Sequence, residues 1–215
     1  MHYGRRVSLT SLTAAILVTR RRESDAEEEE EEEEELRRAS NAFQQALNAK
    51  SVTEEENGWT RVIDDFEGTS WTWTTELVSR ALGNRGNARS RQGKLQDALE
   101  DYNRSIAMTP EAPDPLLNRG VLHETMRDFD LALQDYRRVL DLNPSDAAAY
   151  NNIGNTQMQI RQYAEAVVSL EKARALVSGG SFAFADTNLA MALFLSGDTK
   201  RSFSLFRRIL TRYVR

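Results

Sequence analysis

Apolar side chains recur at helical spacing in the part of the chain that follows residue 35. Between residues 36 and 50 they fall on one side of a helix, at Leu36, Ala39, Phe43, Ala46 and Leu47. Such a stripe predicts an amphipathic helix with one buried face. Ser51 and Glu54 then have the spacing of a capping box, which predicts the start of a second helix. The apolar positions of that helix are Trp59, Val62, Ile63 and Phe66.

The tryptophans allow two interpretations. Trp71 and Trp73 fall in a predicted loop, after which another helix is expected to begin near Thr74 or Thr75. Together with Trp59 they would form either an aromatic recognition site or the packing between the N-terminal helices and the segment that follows. Packing is the favoured interpretation.

Beyond residue 78 the pattern itself repeats every 34 residues. The repeating positions hold small, aromatic or apolar residues and proline: Gly86, Gly120 and Gly154; Ala98, Ala132 and Ala166; Tyr102, Tyr136 and Leu170; Pro110 and Pro144. A fixed period of this length in a helical pattern predicts a stacked helical array. Such an array favours binding over catalysis, because it offers an extended surface rather than an enclosed pocket.

These positions resemble the tetratricopeptide repeat family, with repeats at residues 79–112, 113–146 and 147–180. A fourth, degenerate repeat at 183–215 fits after a two-residue insertion around Gly179 and Gly180. The resemblance implies an all-α fold, a right-handed superhelical solenoid of helix hairpins. Residues 75–215 would form the repeat domain. Residues 36–74, with their capping helices and tryptophan loop, would cover the apolar face of the first repeat as an N-terminal helical cap.

The same resemblance implies a concave groove lined by the first helix of each repeat. One groove position holds asparagine in all four repeats, at Asn84, Asn118, Asn152 and Asn188, and a second adds Asn87 and Asn155. An asparagine side chain both donates and accepts hydrogen bonds, so a ladder of them suits the backbone of an extended peptide. The alternative is that some of them satisfy helix ends or loops. The other candidate groove residues are Arg80, Arg91 and Gln159.

The groove residues also predict a graded ligand. Arg80 and Arg91 indicate an acidic group near the first repeat, whereas Phe184, Met191 and Leu195 indicate an apolar residue near the last. The middle of the groove would contribute Asp114, Thr125 and Gln159. Co-chaperones of the family clamp a terminal carboxylate with three basic residues, which this chain lacks at the matching positions. Without those cations the charge-assisted hydrogen bonds to a carboxylate are lost, so such clamping is not expected.

Composition excludes several kinds of chemistry. The chain has 28 basic and 33 acidic residues and a formal charge of −5, but nine glutamates lie in one run at residues 27–35, and residues 36–215 are nearly neutral, at about +1. No basic face indicates nucleic-acid binding. There is no cysteine, and of the two histidines His2 lies in the N-terminal tail while His123 falls at a usual core position. No phosphate-binding loop or metal-ligand spacing occurs. We therefore expect no catalytic residue, metal, cofactor or small-molecule substrate.

Residues 1–35 are expected to be a disordered tail, basic at first and then poly-glutamate, in which like charges oppose a helix. Arg5 and Arg6 before the apolar residues 7–18 look like a twin-arginine targeting signal, and a plain basic tail is the alternative. Residues 54–59 and 83–95 also look like tetratricopeptide proteins of plant and algal plastids. This narrower resemblance implies a plastid location, with the thylakoid lumen as its compartment, and the assembly or maintenance of thylakoid complexes; a cytoplasmic location is the alternative.

The sequence thus predicts a non-enzymatic scaffold or adaptor that holds an extended segment of a protein partner. Two alternatives remain open at this point. One is a structural module that self-associates through Phe203, Leu205, Ile209 and Leu210 of the last repeat, giving a homo-oligomer. The other is an adaptor subunit of a larger complex.

Overall fold

The computed structural model describes residues 9–70, 73–177 and 183–213, and every secondary-structure element in these residues is an α-helix. Ten helices occur there: α1 Leu9–Leu47, α2 Val52–Phe66, α3 Thr74–Arg91, α4 Leu95–Met108, α5 Pro113–Met126, α6 Phe129–Leu142, α7 Ala147–Gln159, α8 Tyr163–Leu176, α9 Ala183–Leu195 and α10 Thr199–Tyr213. The all-α prediction is confirmed. Trp71, Ser178 and the insertion at residues 179–180 lie outside the described residues, as does the arginine pair at residues 5–6.

The first two helices pack on α3 and form a continuous apolar core with it. This core comprises Ala39, Ala46, Trp59, Val62, Ile63, Phe66, Val78, Ala81 and Leu82. Helices α1 and α2 approach closely where Gly58 meets Ala46, since a Cβ built on Gly58 would lie 2.9 Å from the Ala46 Cα. The ring of Phe43 meets that of Trp59 edge-on, with 4.7 Å between centroids. Trp59 is buried and Trp73 packs on the same core, so packing is the observed role of these two tryptophans.

Residues 9–35 differ from the expectation of a disordered tail, because they belong to α1. The C-terminal part of α1 packs in the core, and the helix continues from there toward the N-terminus through the glutamate run. Glutamate has a high intrinsic helix propensity, which works against the repulsion between neighbouring carboxylates. Two contacts also stabilise this part of α1. The Trp73 indole Nε1 donates to Glu32 at 3.2 Å, and the Arg38 guanidinium donates to Glu35 at 3.2 Å.

The predicted start of α2 is confirmed by its hydrogen bonds. The backbone N–H of Glu54 donates to Ser51 Oγ at 3.1 Å, and the Glu54 carboxylate accepts from the backbone N–H of Lys50 at 3.0 Å. Further along α2, Glu56 accepts from Lys94 at 2.6 Å and from Gln92 at 2.8 Å. The Lys94 hydrogen bond is the main reason that the pKa of Glu56 is lowered to about 2. Glu56 thereby anchors α2 to the first repeat hairpin.

Helices α3 to α10 form four successive hairpins, and α3 begins at Thr74, where the sequence predicts a helix start near Thr74 or Thr75. The turn within each hairpin has one residue in the left-handed region. Gly93 and Gly197 take this conformation in the first and last hairpins with φ of 78° and 92°. Arg127 and Arg161 take it in the middle two, with φ of 66° and 64°.

The repeating glycines sit where the two helices of a hairpin touch. A Cβ added to Gly120 would lie 2.5 Å from Cε1 of Tyr136, and one added to Gly86 would lie 2.7 Å from Cε1 of Tyr102. Gly154 would meet Leu170 Cγ at 2.5 Å. Because carbon atoms do not approach this closely, only glycine allows the observed packing at these three positions.

A salt bridge inside the hairpin also repeats with the 34-residue period. Arg85 donates two hydrogen bonds to Asp101, at 3.0 and 2.7 Å, and Arg119 donates two to Asp135, at 2.9 and 2.6 Å. Such two-point pairs fix the relative orientation of the helices that carry them. The third repeat has Ile153 and Ser169 at the corresponding positions, so it has no such pair.

We predict that Gly120→Ala destabilises the protein by about 1–3 kcal/mol, because the new methyl group overpacks the buried ring of Tyr136. The matched control is Gly83→Ala, also in the first helix of a hairpin, where the nearest atom to the added Cβ is Ser105 Oγ at 3.9 Å. That change should be neutral or stabilising by up to about 1 kcal/mol, since alanine has the higher helix propensity. Urea unfolding followed by circular dichroism measures both. Equal effects of the two substitutions would contradict the packing argument.

Candidate functional site

The inner surface of the array is built by the first helix of each hairpin. Helices α3, α5, α7 and α9 each contact the next one in this series, in addition to their hairpin partners. Positions separated by one repeat therefore lie side by side along this surface. Asn84, Asn118, Asn152 and Asn188 occupy one such row, and each is partly exposed.

A cleft with a volume of about 740 Å³ lies between α3 and α5 on this surface. Its lining residues come from α3, from the loop after α4 and from α5: Glu76, Ser79, Arg80, Gly83, Asn84, Asn87, Thr109, Glu111, Ala112, Asp114, Pro115, Leu117 and Asn118. We call this the α3–α5 cleft. It brings together four of the sequence-predicted groove residues, namely Arg80, Asn84, Asn87 and Asn118.

A second, smaller cleft of about 440 Å³ continues from the first. The two share Asn87 and Asn118, and the second adds Arg91, a fifth predicted groove residue. Gln159, Asn152 and Asn155 lie further along, on α7, and Asn188 lies on α9. The nine predicted residues thus fall on the inner helices, although only five line the two clefts. Their role in binding stays a prediction.

Asn87 has a fixed orientation. The Tyr102 hydroxyl donates to Asn87 Oδ1 at 2.7 Å. Burial raises the pKa of Tyr102, so this hydroxyl keeps its proton and remains a donor. With its oxygen engaged in this way, Asn87 has its amide N–H groups left to donate. At this point the groove can therefore bind the carbonyl oxygen of a peptide backbone.

Asn155, two repeats later, lacks the equivalent partner. Its Oδ1 is buried and accepts no hydrogen bond within the described residues. The reason lies in the sequence, because Leu170 stands where the first repeat has Tyr102 and so brings no hydroxyl. A buried polar oxygen without a donor costs about 1–3 kcal/mol.

The other asparagines of the ladder fall into two groups. Asn84, Asn118 and Asn152 make no side-chain hydrogen bond within the described residues, so their amides are available to a ligand. Asn188 instead donates to Asn151 Oδ1 at 3.2 Å and joins α9 to α7. The alternative interpretation, in which an asparagine hydrogen-bonds to a neighbouring element, therefore applies to Asn188. Binding of a ligand by Asn84, Asn118 and Asn152 stays a prediction.

The expectation of an acidic ligand group near the first repeat is not supported by the charges there. Arg91 forms an ion pair with Glu55 of α2, which neutralises it. The Arg80 guanidinium lies over the ring of Phe43, 5.5 Å from its centroid. Both partners belong to the N-terminal helices, outside the repeats, so the repeat pattern could not reveal these contacts.

Sequence reasoning also missed residues of the α3–α5 cleft. Glu76 precedes the first repeat boundary and was not assigned to the groove, yet it lies two helical turns before Asn84 on the same face of α3. The predicted helix start near Thr74 already placed Glu76 on α3, but the 34-residue pattern was read only from residue 79. Outside this cleft, Asn151 on α7 was missed as well, because its position was not among the repeated asparagines.

The last repeat carries an exposed apolar surface that includes two of the four residues predicted for self-association. Met191 and Leu195 on α9 are exposed, whereas the side chain of Phe184 lies outside the described residues. On α10, Phe203 is 64% and Leu210 is 63% exposed. Leu205 is buried and Ile209 packs on the core, so these two serve the fold and not a self-association surface. Self-association itself stays a prediction.

His123 has a structural environment. It is buried, with Nε2 at 3.9 Å from Asp135 Oδ2, and burial lowers its pKa. It stands where the first repeat has Arg89, which donates to Asp101 at 2.8 Å. Across the part of the chain that the structure describes, no group of three or more acidic or histidine side chains could hold a metal ion. None of the described helices has both the length and the hydropathy needed to cross a bilayer.

Comparison with known proteins supports the same type of repeat. A family model described as tetratricopeptide repeat matches residues 84–147 and, overlapping them, residues 117–181. Tetratricopeptide repeat protein 6 of Homo sapiens is 37% identical over 76 residues, which make up 35% of this chain and 14% of that protein. The match therefore covers well under two thirds of this relative.

Solved structures with the same fold extend over most of the chain. A tetratricopeptide repeat protein from Parabacteroides merdae superposes with a TM-score of 0.68 at 20% identity, covering 82% of this chain and 67% of that one. MamA from Desulfovibrio magneticus RS-1 gives a TM-score of 0.67 at 18% identity, covering 81% of this chain and 93% of that one. At this level of identity the likeness shows the fold alone.

The environment of Asn155 leads to a test in the third repeat. We predict that Leu170→Tyr makes the protein more stable than Leu170→Phe by about 1 kcal/mol, since only tyrosine brings a hydroxyl that can donate to Asn155 Oδ1. The phenylalanine variant is the matched control, because it places the same ring against Gly154. Denaturant unfolding gives the difference. Equal stability of the two variants would contradict the assignment of Asn155 as an unsatisfied acceptor.

Proposed function

We propose that this chain, which belongs to the tetratricopeptide repeat family, is a non-enzymatic adaptor that holds an extended segment of a protein partner. The segment would lie along the inner surface formed by α3, α5, α7 and α9. It would be held mainly through its backbone, with few demands on the identity of its side chains.

The observation that carries this proposal is the set of asparagine amides with unused hydrogen-bonding groups on the inner surface. Asn84, Asn118 and Asn152 lie one repeat apart and have no side-chain partner within the described residues. Asn87 adds N–H donors whose direction Tyr102 sets. An extended peptide offers a donor and an acceptor at every residue except proline, so spaced amides suit its backbone.

Helix packing supports the same function. In the first three hairpins, the inner helix is held at a fixed distance from its outer helix by the packing at Gly86, Gly120 and Gly154. The amides are therefore positioned before a ligand arrives, and such preorganisation lowers the entropy lost on binding. A rigid surface with regularly spaced polar groups is suited to capture rather than to chemical conversion.

Replacing Asn84, Asn118 and Asn152 with alanine should abolish partner capture, because each substitution removes a backbone-directed amide. The test is affinity capture from native extract with mass spectrometry, comparing the partners held by the unaltered chain with those held by the triple variant. Circular dichroism should show unchanged helix content.

The matched control replaces Gln96, Gln134 and Gln162, which are exposed outside the inner surface, with alanine. It should retain the partners. Undiminished capture by the asparagine variant would refute the groove as the binding surface.

The narrower proposal places this adaptor in a plastid, where it would assist the assembly or maintenance of a thylakoid complex. It is supported by the resemblance of residues 54–59 and 83–95 to plastid proteins and by the arginine pair near the N-terminus. A fluorescent fusion at the C-terminal end should therefore accumulate in plastids of a plant cell. Fluorescence confined to the cytoplasm would contradict this proposal.

A further inference from the structure

The α3–α5 cleft has a charge that the function proposed above leaves unexplained. Three carboxylates line it, those of Glu76, Glu111 and Asp114, against one guanidinium, that of Arg80. Glu76 and Asp114 form no ion pair within the described residues, and Glu111 only reaches Arg138 at 3.6 Å while remaining 80% exposed. The cleft is therefore acidic at neutral pH.

Arg80 does not cancel this charge. It follows Glu76 by four residues on α3, a spacing that usually favours an ion pair. In the structure, however, its guanidinium lies over Phe43 of α1, 5.5 Å from the ring centroid, and makes no ion pair with Glu76. This cation–π contact holds the positive charge toward the N-terminal helices and leaves the carboxylates facing the cleft.

The rest of the cleft has the features of a site for a long cationic side chain. Ala112, Pro115 and Leu117 supply apolar surface, against which the methylene groups of lysine or arginine can pack. Asn84, Asn87 and Asn118 stand beside this surface and can hold the backbone that carries such a side chain. The volume of about 740 Å³ accommodates a side chain together with several backbone atoms.

We propose that the α3–α5 cleft selects a basic residue, lysine or arginine, in the bound segment, with its cationic group held by Glu76 and Asp114. This inference rests on the function proposed above and specifies its ligand. The cleft and its asparagine amides make the binding surface, and the two carboxylates decide the charge of the residue that enters it. The neighbouring cleft does not oppose this choice, because Arg91 is already paired with Glu55.

The experiment uses random octapeptides displayed on phage and selected against the full chain. Peptides recovered on the unaltered protein should be enriched in lysine and arginine relative to the starting library. The variant Glu76→Gln with Asp114→Asn keeps the shape of both side chains but removes their charge, and it should lose this enrichment. A synthetic peptide chosen on the unaltered protein should bind this variant about tenfold more weakly.

Two controls make the result specific. Asp130→Asn with Asp141→Asn removes the same charge from exposed positions on the outer helix α6, and it should preserve both the enrichment and the affinity. The triple alanine variant of Asn84, Asn118 and Asn152 should recover no peptides above background. That variant reports on the groove, whereas the carboxylate variant reports on the charge preference.

The outcomes separate the two proposals. Recovery of peptides without a preference for basic residues, or with a preference for acidic ones, that still depends on the three asparagines would overturn the inference and keep the adaptor function. Recovery of no peptide above the level of the triple alanine variant would overturn both. Loss of enrichment in the α6 control would also overturn the inference, because the effect would then follow from net charge alone.

Discussion

The close contact between the two helices of each hairpin is the constraint on which the rest of the structure depends. At Gly86 and Gly120 the backbone of the inner helix lies directly against a buried tyrosine ring of the outer helix. This contact fixes the distance between the two helices of the hairpin. The first of these tyrosines, Tyr102, also donates a hydrogen bond to Asn87 and so orients its side chain. One contact thus determines both the packing of the hairpin and the hydrogen-bonding direction of a groove residue.

Ion pairs also connect the N-terminal helices to the first repeat. Asp101 accepts hydrogen bonds from Arg85 and from Arg89, and Arg89 also donates to Glu56 of α2 at 3.1 Å. The N-terminal helices are in this way connected to the interior of the first repeat by polar contacts as well as by the apolar core. Removing these charges from water is costly, and this cost offsets much of what the pairs contribute to stability.

More of the fold than of the site could be predicted from the sequence. The glycine period indicated where hairpins begin and end, because packing within a repeat depends on residues of that repeat. The availability of Arg80 and Arg91 could not be predicted, since their partners Phe43 and Glu55 lie in helices that do not follow the period. The helical state of residues 9–35 escaped prediction for a similar reason. A local argument from repulsion between glutamates omits the packed helix to which they are joined.

The uneven distribution of the Arg–Asp pairs makes local stability differ from one hairpin to the next. The first two hairpins are closed by Arg85–Asp101 and Arg119–Asp135, whereas the third has Ile153 and Ser169 in their place and a buried oxygen without a donor at Asn155. In a linear array each unit is supported only by its neighbours. Such a difference therefore gives the third hairpin a lower local opening free energy than the first two. Amide hydrogens of α7 and α8 should exchange through openings that leave α3 to α6 folded. A peptide spanning the whole inner surface would then contact both the hairpins that carry these pairs and the third, which lacks them, and its binding would slow exchange most in α7 and α8.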